Sequence, residues 1–325
     1  MRRKLKIAAI VDEATCLGLQ EEAELIHLTP LNWRWCINVH KPDLLFVESA
    51  WRGFNASWQK KIVDLDANEN SSLKKLTDYC HKKSIPTIFW NKEDPVHFDR
   101  FSQAAMYFNA LYTTDANCIP KYKALNHEFK MINTLMFAAQ PKLHAPNQQN
   151  KRLPSIAFLG GFYGKELPKR SQEQGQILQA LKQHNLIIYD RFWTPQQACC
   201  FPQSLIDHCR PAVCEKTIYS LYNQFQLYLN FNTVQHSHTM LSRRVFELAA
   251  SASPMLSTPS YAIEDIFGPH IIQIQHTDLV SGLYQDYIKD ESKRLKDAKI
   301  IQEIVLDQHT WQHRIAQIRM DIGFI

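Results

Sequence analysis

The chain has 325 residues, 45% of them hydrophobic and 21% charged, and a net charge of +5. This is globular composition, which excludes a disordered or fibrous protein, and the length suits two domains of roughly 150 residues each. Lys and Arg are spread along the chain rather than gathered in one patch, so the mild positive charge suits an anionic small molecule better than nucleic acid.

The basic start MRRKLKIAAIV gives way at once to Asp12 and Glu13, and it reads as a buried strand rather than a signal peptide or an anchor. No stretch reaches the roughly 18 apolar residues that a spanning helix needs. Short apolar runs then predict strands over residues 5–11, 24–28, 43–47, 86–90, 110–113 and 131–135, with helices over 58–65, 72–83, 98–108 and 118–125. The polar, proline-punctuated stretch 141–154, PKLHAPNQQNKRLP, is the expected linker. After it the alternation restarts: strands over 155–159, 186–189, 226–229 and 255–258, and helices over 171–184, 214–222 and from 242 onward. An amphipathic tail, 310–320, is placed to pack back on the first half. The expected domains are 1–145 and 146–308, followed by the terminal helix within 309–325.

Such alternation is the signature of parallel sheets covered by helices, here two doubly wound α/β domains facing across a cleft. Ligands in these sheets bind at the carboxyl ends of the strands, so the chemistry is sought in the loops that follow them. Glu48 ends one strand of the first half, and Asp94 and His97 follow another. Together they are an inventory for holding and deprotonating a sugar hydroxyl. Asp94 precedes Pro95 and equally suits the shaping of a turn, and Asp115 suits a helix N-cap.

In the second half Gly160 and Gly161 let a backbone approach a ligand, and Arg170 opens the next helix, where phosphate is favoured. The spacing is neither G-x-G-x-x-G nor a Walker loop. His236 and His238 read as polar loop residues. Cys199, Cys200, His208, Cys209 and Cys214 contain no Cys-x-x-Cys pair, and no metal is expected there. Isolated cysteines without an export signal fit a reducing cytoplasm.

The most informative stretch is 242–256, SRRVFELAASASPML. Arg243 and Glu247 are four apart and share a helix face, and extending that face backward adds Thr239. An arginine there can hold phosphate oxygens and a carboxylate can hold a sugar diol, although the same pair also suits an ordinary surface ion pair.

This stretch resembles the donor-site helix of the group 1 glycosyltransferases of the GT-B fold, and in particular the branch similar to CgeB, a spore-maturation protein. Residues 42–51 (PDLLFVESAW), 89–95 (FWNKEDP), 137–141 (FAAQP) and 158–163 (FLGGFY) extend the resemblance over nearly the whole chain. It implies a metal-independent transferase of the hexosyltransferase type. A sugar would pass from a nucleoside diphosphate sugar to a glycan or lipid-linked glycan acceptor in surface or capsular polysaccharide synthesis. The resemblance assigns Glu247 to the ribose hydroxyls, and Arg243 or Arg170 to the diphosphate beside the Gly160 and Gly161 amides. Asp94, His97 and Glu48 would contact the acceptor. No cofactor beyond the donor, no nucleic acid and at most peripheral membrane contact are expected of a cytoplasmic enzyme of this kind.

Two departures stand out. Many relatives carry a glutamate eight positions before the ribose glutamate, where this chain has Thr239, and a glycine where it has Ala252. The loss of a charge at Thr239 supports an alternative, an inactive nucleotide-sugar-binding or scaffold protein of the same fold. A nicotinamide-dependent dehydrogenase is more distant, because the dinucleotide fingerprint is missing.

Overall fold

The computed structural model describes residues 3–66, 71–125, 127–147 and 151–323. The chain divides into two compact units: Met1–Gln140 with Ser237–Met240 and Thr310–Ile325, and Pro141–His236 with Leu241–His309.

The first unit runs β1 (Lys6–Ile10), α1 (Glu13–Leu19), β2 (Glu24–His27), α2 (Trp33–His40), β3 (Leu44–Glu48), α3 (Ser72–Lys82), β4 (Thr87–Asn91), α4 (Phe98–Ala105), β5 (Ala110–Thr113), α5 (Ile119–Lys123) and β6 (Met131–Thr134). Its six strands lie in the order β2-β1-β3-β4-β5-β6, all parallel. Parallel strands need helical crossovers and are buried on both faces, which is why β3 and β4 are wholly buried.

The expected helix over 58–65 does not form. Lys60 and Asp64 adopt φ of 56° and 53°, which breaks the helical ladder. Buried Trp58 instead anchors this loop by donating its indole N–H to the Leu28 carbonyl at 2.8 Å. Helices α1 and α2 occupy stretches where the sequence shows no clear period.

The terminal helix α12 (Trp311–Asp321) groups with this unit. Trp311, Ile315 and Ile318 join the core that contains Trp90, Tyr112 and Leu135. The Trp311 indole fills the space beside Gly18, where an added Cβ would stand 2.1 Å from its Nε1, so only glycine fits at that point of α1.

The second unit runs β7 (Leu153–Gly160), α6 (Pro168–Leu181), β8 (Leu186–Asp190), β9 (Cys209–Arg210), α7 (Glu215–Leu221), β10 (Phe225–Asn230), α8 (Arg243–Ala250), β11 (Met255–Ser257), α9 (Tyr261–Phe267), β12 (Ile272–Gln273), α10 (Val280–Lys289) and α11 (Glu291–Gln308). Its sheet is again six-stranded and parallel, ordered β12-β11-β10-β7-β8-β9. Of the expected linker, residues 148–150 lie outside the described residues. Its first part packs on this unit through His144, which is 3% exposed, and through two hydrogen bonds with Asn223.

Helix α8 ends in a closed C-terminal motif. The Ser253 amide donates to the Leu248 carbonyl and the Ala252 amide to Ala249, at 3.0 and 2.9 Å, while the Arg152 guanidinium binds the Ser251 and Ala252 carbonyls. This motif puts Ala252 at φ 47°, a left-handed conformation that glycine adopts without steric cost. Ala252→Gly is accordingly expected to stabilise the protein by about 1 kcal/mol, read as a higher urea midpoint with an unchanged slope.

Candidate functional site

In each sheet the order of strands reverses beside the first strand, and the loops leaving the two strands at that point diverge to open a crevice at their carboxyl ends. In the second unit the reversal lies between β7 and β10. The loop after β7 carries Gly160, Gly161 and, at the start of α6, Arg170; the connection after β10 leads to the N-terminus of α8, with Arg243 and Arg244.

Arg170 lies over the Tyr163 ring at 4.9 Å and donates through Nη1 to the Gln174 side chain at 3.0 Å and the Gly161 carbonyl at 3.4 Å. Its Nε is buried without a partner, and so is that of Arg244, whose guanidinium stands 5.8 Å from the Phe158 ring centre. Burial, and then the positive charges of Arg244 and Arg191, push the Arg170 guanidinium down to about 10. Three arginines therefore share one field, in which an anion would relieve both the repulsion and the unmet donors.

Arg243 is committed elsewhere. Its Nη2 reaches both oxygens of Glu215 at 2.9 Å and its Nη1 reaches Glu247 at 3.1 Å. Glu247, 3% exposed, also accepts from the Tyr222 hydroxyl at 2.6 Å and has the His144 imidazole 3.9 Å away. Burial works against the Glu247 charge, but Arg243 and His144 outweigh it and hold the carboxyl below its ordinary range. His144, packed edge-on against Tyr219, is pushed below its ordinary range by burial, against the pull of Glu247. Neither Tyr222 nor His144 stands out in the sequence, because what brings them to Glu247 is the packing of α7 and of the segment after residue 140.

The expected face of Thr239, Arg243 and Glu247 needs correction. Ser242, with φ −60° and ψ 134°, is the N-cap that starts α8, so Thr239 lies outside the helix. It belongs to the first unit, where its hydroxyl accepts from the Ala116 amide at 2.8 Å beside a Ser237–Asp115 hydrogen bond of 2.7 Å. Gly161 is closed on its Cβ side by Phe192, 2.3 Å from where a Cβ would stand, and Gly160 by Phe158 at 2.5 Å. The glycine pair is thus required first by packing.

The first unit reverses between β1 and β3. There Lys92 binds Asp12 at 2.9 Å and Glu48 at 2.8 Å, and Glu48 also accepts from Thr15 at 2.6 Å and from the Asp12 amide. Burial raises Glu48 above its ordinary range. It works against Asp12 too, yet Lys92 and the Gly53 amide hold Asp12 below its own. Expected to reach an acceptor, Glu48 is wholly buried, and the partly exposed carboxylate of this cluster is Asp12.

Asp94 is likewise fully buried, ringed by Thr113 at 2.6 Å, Tyr122 at 3.0 Å and Asn91 at 2.8 Å. Its carboxylate ties the loop after β4 to β5 and α5. His97 stands apart from both clusters, 5.1 Å from the Trp51 ring and 3.9 Å from Glu93. Among the described residues no group of three or more His, Cys, Asp or Glu side chains is placed to hold a metal.

Residues 170–320 match the family model Glyco_trans_1_2, described as glycosyl transferase-like. No curated protein matches the sequence. Among solved structures, an alpha-glucosyltransferase in complex with UDP and a 13-mer DNA aligns with a TM-score of 0.63 at 9% identity, over 99% of this chain and 100% of that one. HepE of Anabaena in complex with UDP-glucose aligns at 0.62 and 11% identity, over 98% and 92%. Sucrose-phosphate synthase of Thermosynechococcus elongatus aligns at 0.56 and 10%, over 91% and 79%. The fold is that of the GT-B glycosyltransferases.

Within this GT-B chain the matched segment includes Arg170, Arg191, Arg244 and Glu247. Two outcomes test the first unit's clusters. Lys92→Met strands two carboxylates and should cost about 3–5 kcal/mol of stability, measured by equilibrium urea unfolding. Burial pushes Asp94 up to about 7 from an ordinary 3.8, so the folded state holds its proton through that window and the protein loses stability as pH rises across it. Asp94→Asn should flatten this part of the profile of melting temperature against pH.

Proposed function

We propose that the protein is a glycosyltransferase that takes a nucleoside diphosphate sugar as donor. The observation that carries the reading is the pair of arginines, Arg170 and Arg244, whose buried Nε donors meet no partner at the strand-order reversal of the second unit. A diphosphate supplies the missing acceptors and charge, and the glycosyl transferase-like match over the same segment favours a sugar nucleotide over other diphosphates. The UDP and UDP-glucose complexes among similar folds make uridine the first base to try.

In this reading Arg170 and Arg244 bind the diphosphate, and as the sugar departs they stabilise the charge gathering on the leaving phosphate without need of a metal. Glu247 binds the ribose hydroxyls from a position that Tyr222 and Arg243 hold rigid. Gly160 and Gly161 bring backbone close to the phosphates. Arg243 serves as a positioning residue for Glu247 rather than as a phosphate ligand. The first unit takes the acceptor, a glycan or lipid-linked glycan of surface or capsular polysaccharide synthesis, with Asp12 and His97 presenting the reachable polar groups there. Glu48 and Asp94 set that surface from beneath, and Thr239 positions the loop at Ala116. The resemblance to the CgeB-like branch, hexosyl transfer and a cytoplasmic setting with peripheral membrane contact belong to the same proposal.

Arg170→Ala and Arg244→Ala should each weaken UDP binding by about tenfold or more, since a hydrogen bond to a charged group contributes about 1.5–3 kcal/mol; calorimetric titration measures it. UDP binding that survives the double variant would remove the diphosphate assignment. Nucleotide release from a panel of donors, with acceptor glycans present, separates a working transferase from a fold that binds donor without turnover.

A further inference from the structure

We infer that the outer face of α2, with the loop that leads into it, docks the protein on an anionic phospholipid bilayer. Large apolar side chains are exposed singly over most of the chain, but Leu31, Trp35 and Val39 stand together, 97%, 62% and 54% exposed. Their spacing of four forms one stripe on the side of α2 opposite the buried Trp33, Cys36 and Ile37. Exposing that stripe to water costs hydrophobic free energy that the fold does nothing to reduce, the condition under which an exposed apolar patch marks an interaction site.

The charges around the stripe select the occupant. Residues 29–41, TPLNWRWCINVHK, carry Arg34, His40 and Lys41 and no carboxylate. The Arg34 guanidinium lies over Tyr79 at 5.4 Å and the Lys83 ammonium over the same ring at 5.4 Å, while the Tyr79 hydroxyl donates to Asn38, so α3 and α2 present their cations side by side. On α3 and just beyond it Lys75, His81, Lys82 and Lys83 are exposed, and the one carboxylate, Asp78, is paired with Lys74. An apolar stripe with an indole, rimmed by cations that outnumber the single paired carboxylate Asp78, fits the boundary between headgroups and acyl chains of an anionic membrane. No helix among the described residues is long and apolar enough to cross a membrane, so the contact is interfacial. This inference stands apart from the donor site, which lies in the other unit.

The test is co-sedimentation of the full chain with vesicles of phosphatidylcholine containing about one third phosphatidylglycerol, against vesicles of phosphatidylcholine alone. Binding is expected on the anionic vesicles and not on the neutral ones, with release at high salt. Leu31→Ser with Trp35→Ser, and separately Lys82→Glu with Lys83→Glu, should each lower the bound fraction on the order of tenfold while the circular dichroism melt and UDP binding stay as in the parent chain. Equal partition onto both vesicles, or binding that the Leu31 and Trp35 changes leave intact, overturns the inference. So does a dimer in analytical ultracentrifugation that those changes abolish, which assigns the face to a second copy of the chain.

Discussion

Parallel strand pairing is the constraint on which the molecule depends. A parallel neighbour cannot be reached by a tight turn, so every strand return here runs through a crossover, and each sheet is built outward in both directions from its first strand. That manner of growth makes one point in each sheet where successive loops part. Two polar clusters lie at such points: Asp12, Glu48 and Lys92 in the first unit, Arg170, Arg244 and Glu247 in the second.

The two clusters differ in how far their charges are satisfied internally. Lys92 binds both carboxylates of its cluster while the Thr15 hydroxyl and the Asp12 and Gly53 amides donate to them, and the result is a rigid floor rather than an open site. In the second unit the adjacent arginines of α8 divide the work. Arg243 ties Glu247 and Glu215 together, while Arg244 joins Arg170 and Arg191 in a field where Glu173 offsets less than the neighbouring arginines add. One residue of offset turns a guanidinium from one task to the other, since successive side chains on a helix point about 100° apart.

Much of the architecture was legible in the chain because buried parallel strands must be apolar runs, and those runs stood out from the first strand to Met255–Ser257. Helix α2 was obscured by its own outer face: Trp35 and Val39 are apolar and exposed where a helix surface is usually polar, which blurs the period. The stretch 58–65 looked helical and is not, because Trp58 reaches the distant Leu28 carbonyl and the loop follows it. The sequence reading placed Glu247, Arg170 and Arg243 on the donor side and did not consider Arg244. Nothing local distinguishes Arg243 from Arg244.

By itself the sequence determined the α/β class, the two sheets, the arginine and glutamate spacing on α8 and the glycine-rich turn after β7, because each of these follows from the period of side chains along a strand or a helix. Only the tertiary structure decided which charges meet. The burial of Glu48 and Asp94, the placing of Thr239 against Ala116 within the first unit and the approach of Tyr222 and His144 to Glu247 all join residues far apart in the chain. Their proximity is set by the packing of whole elements, and no local pattern encodes it.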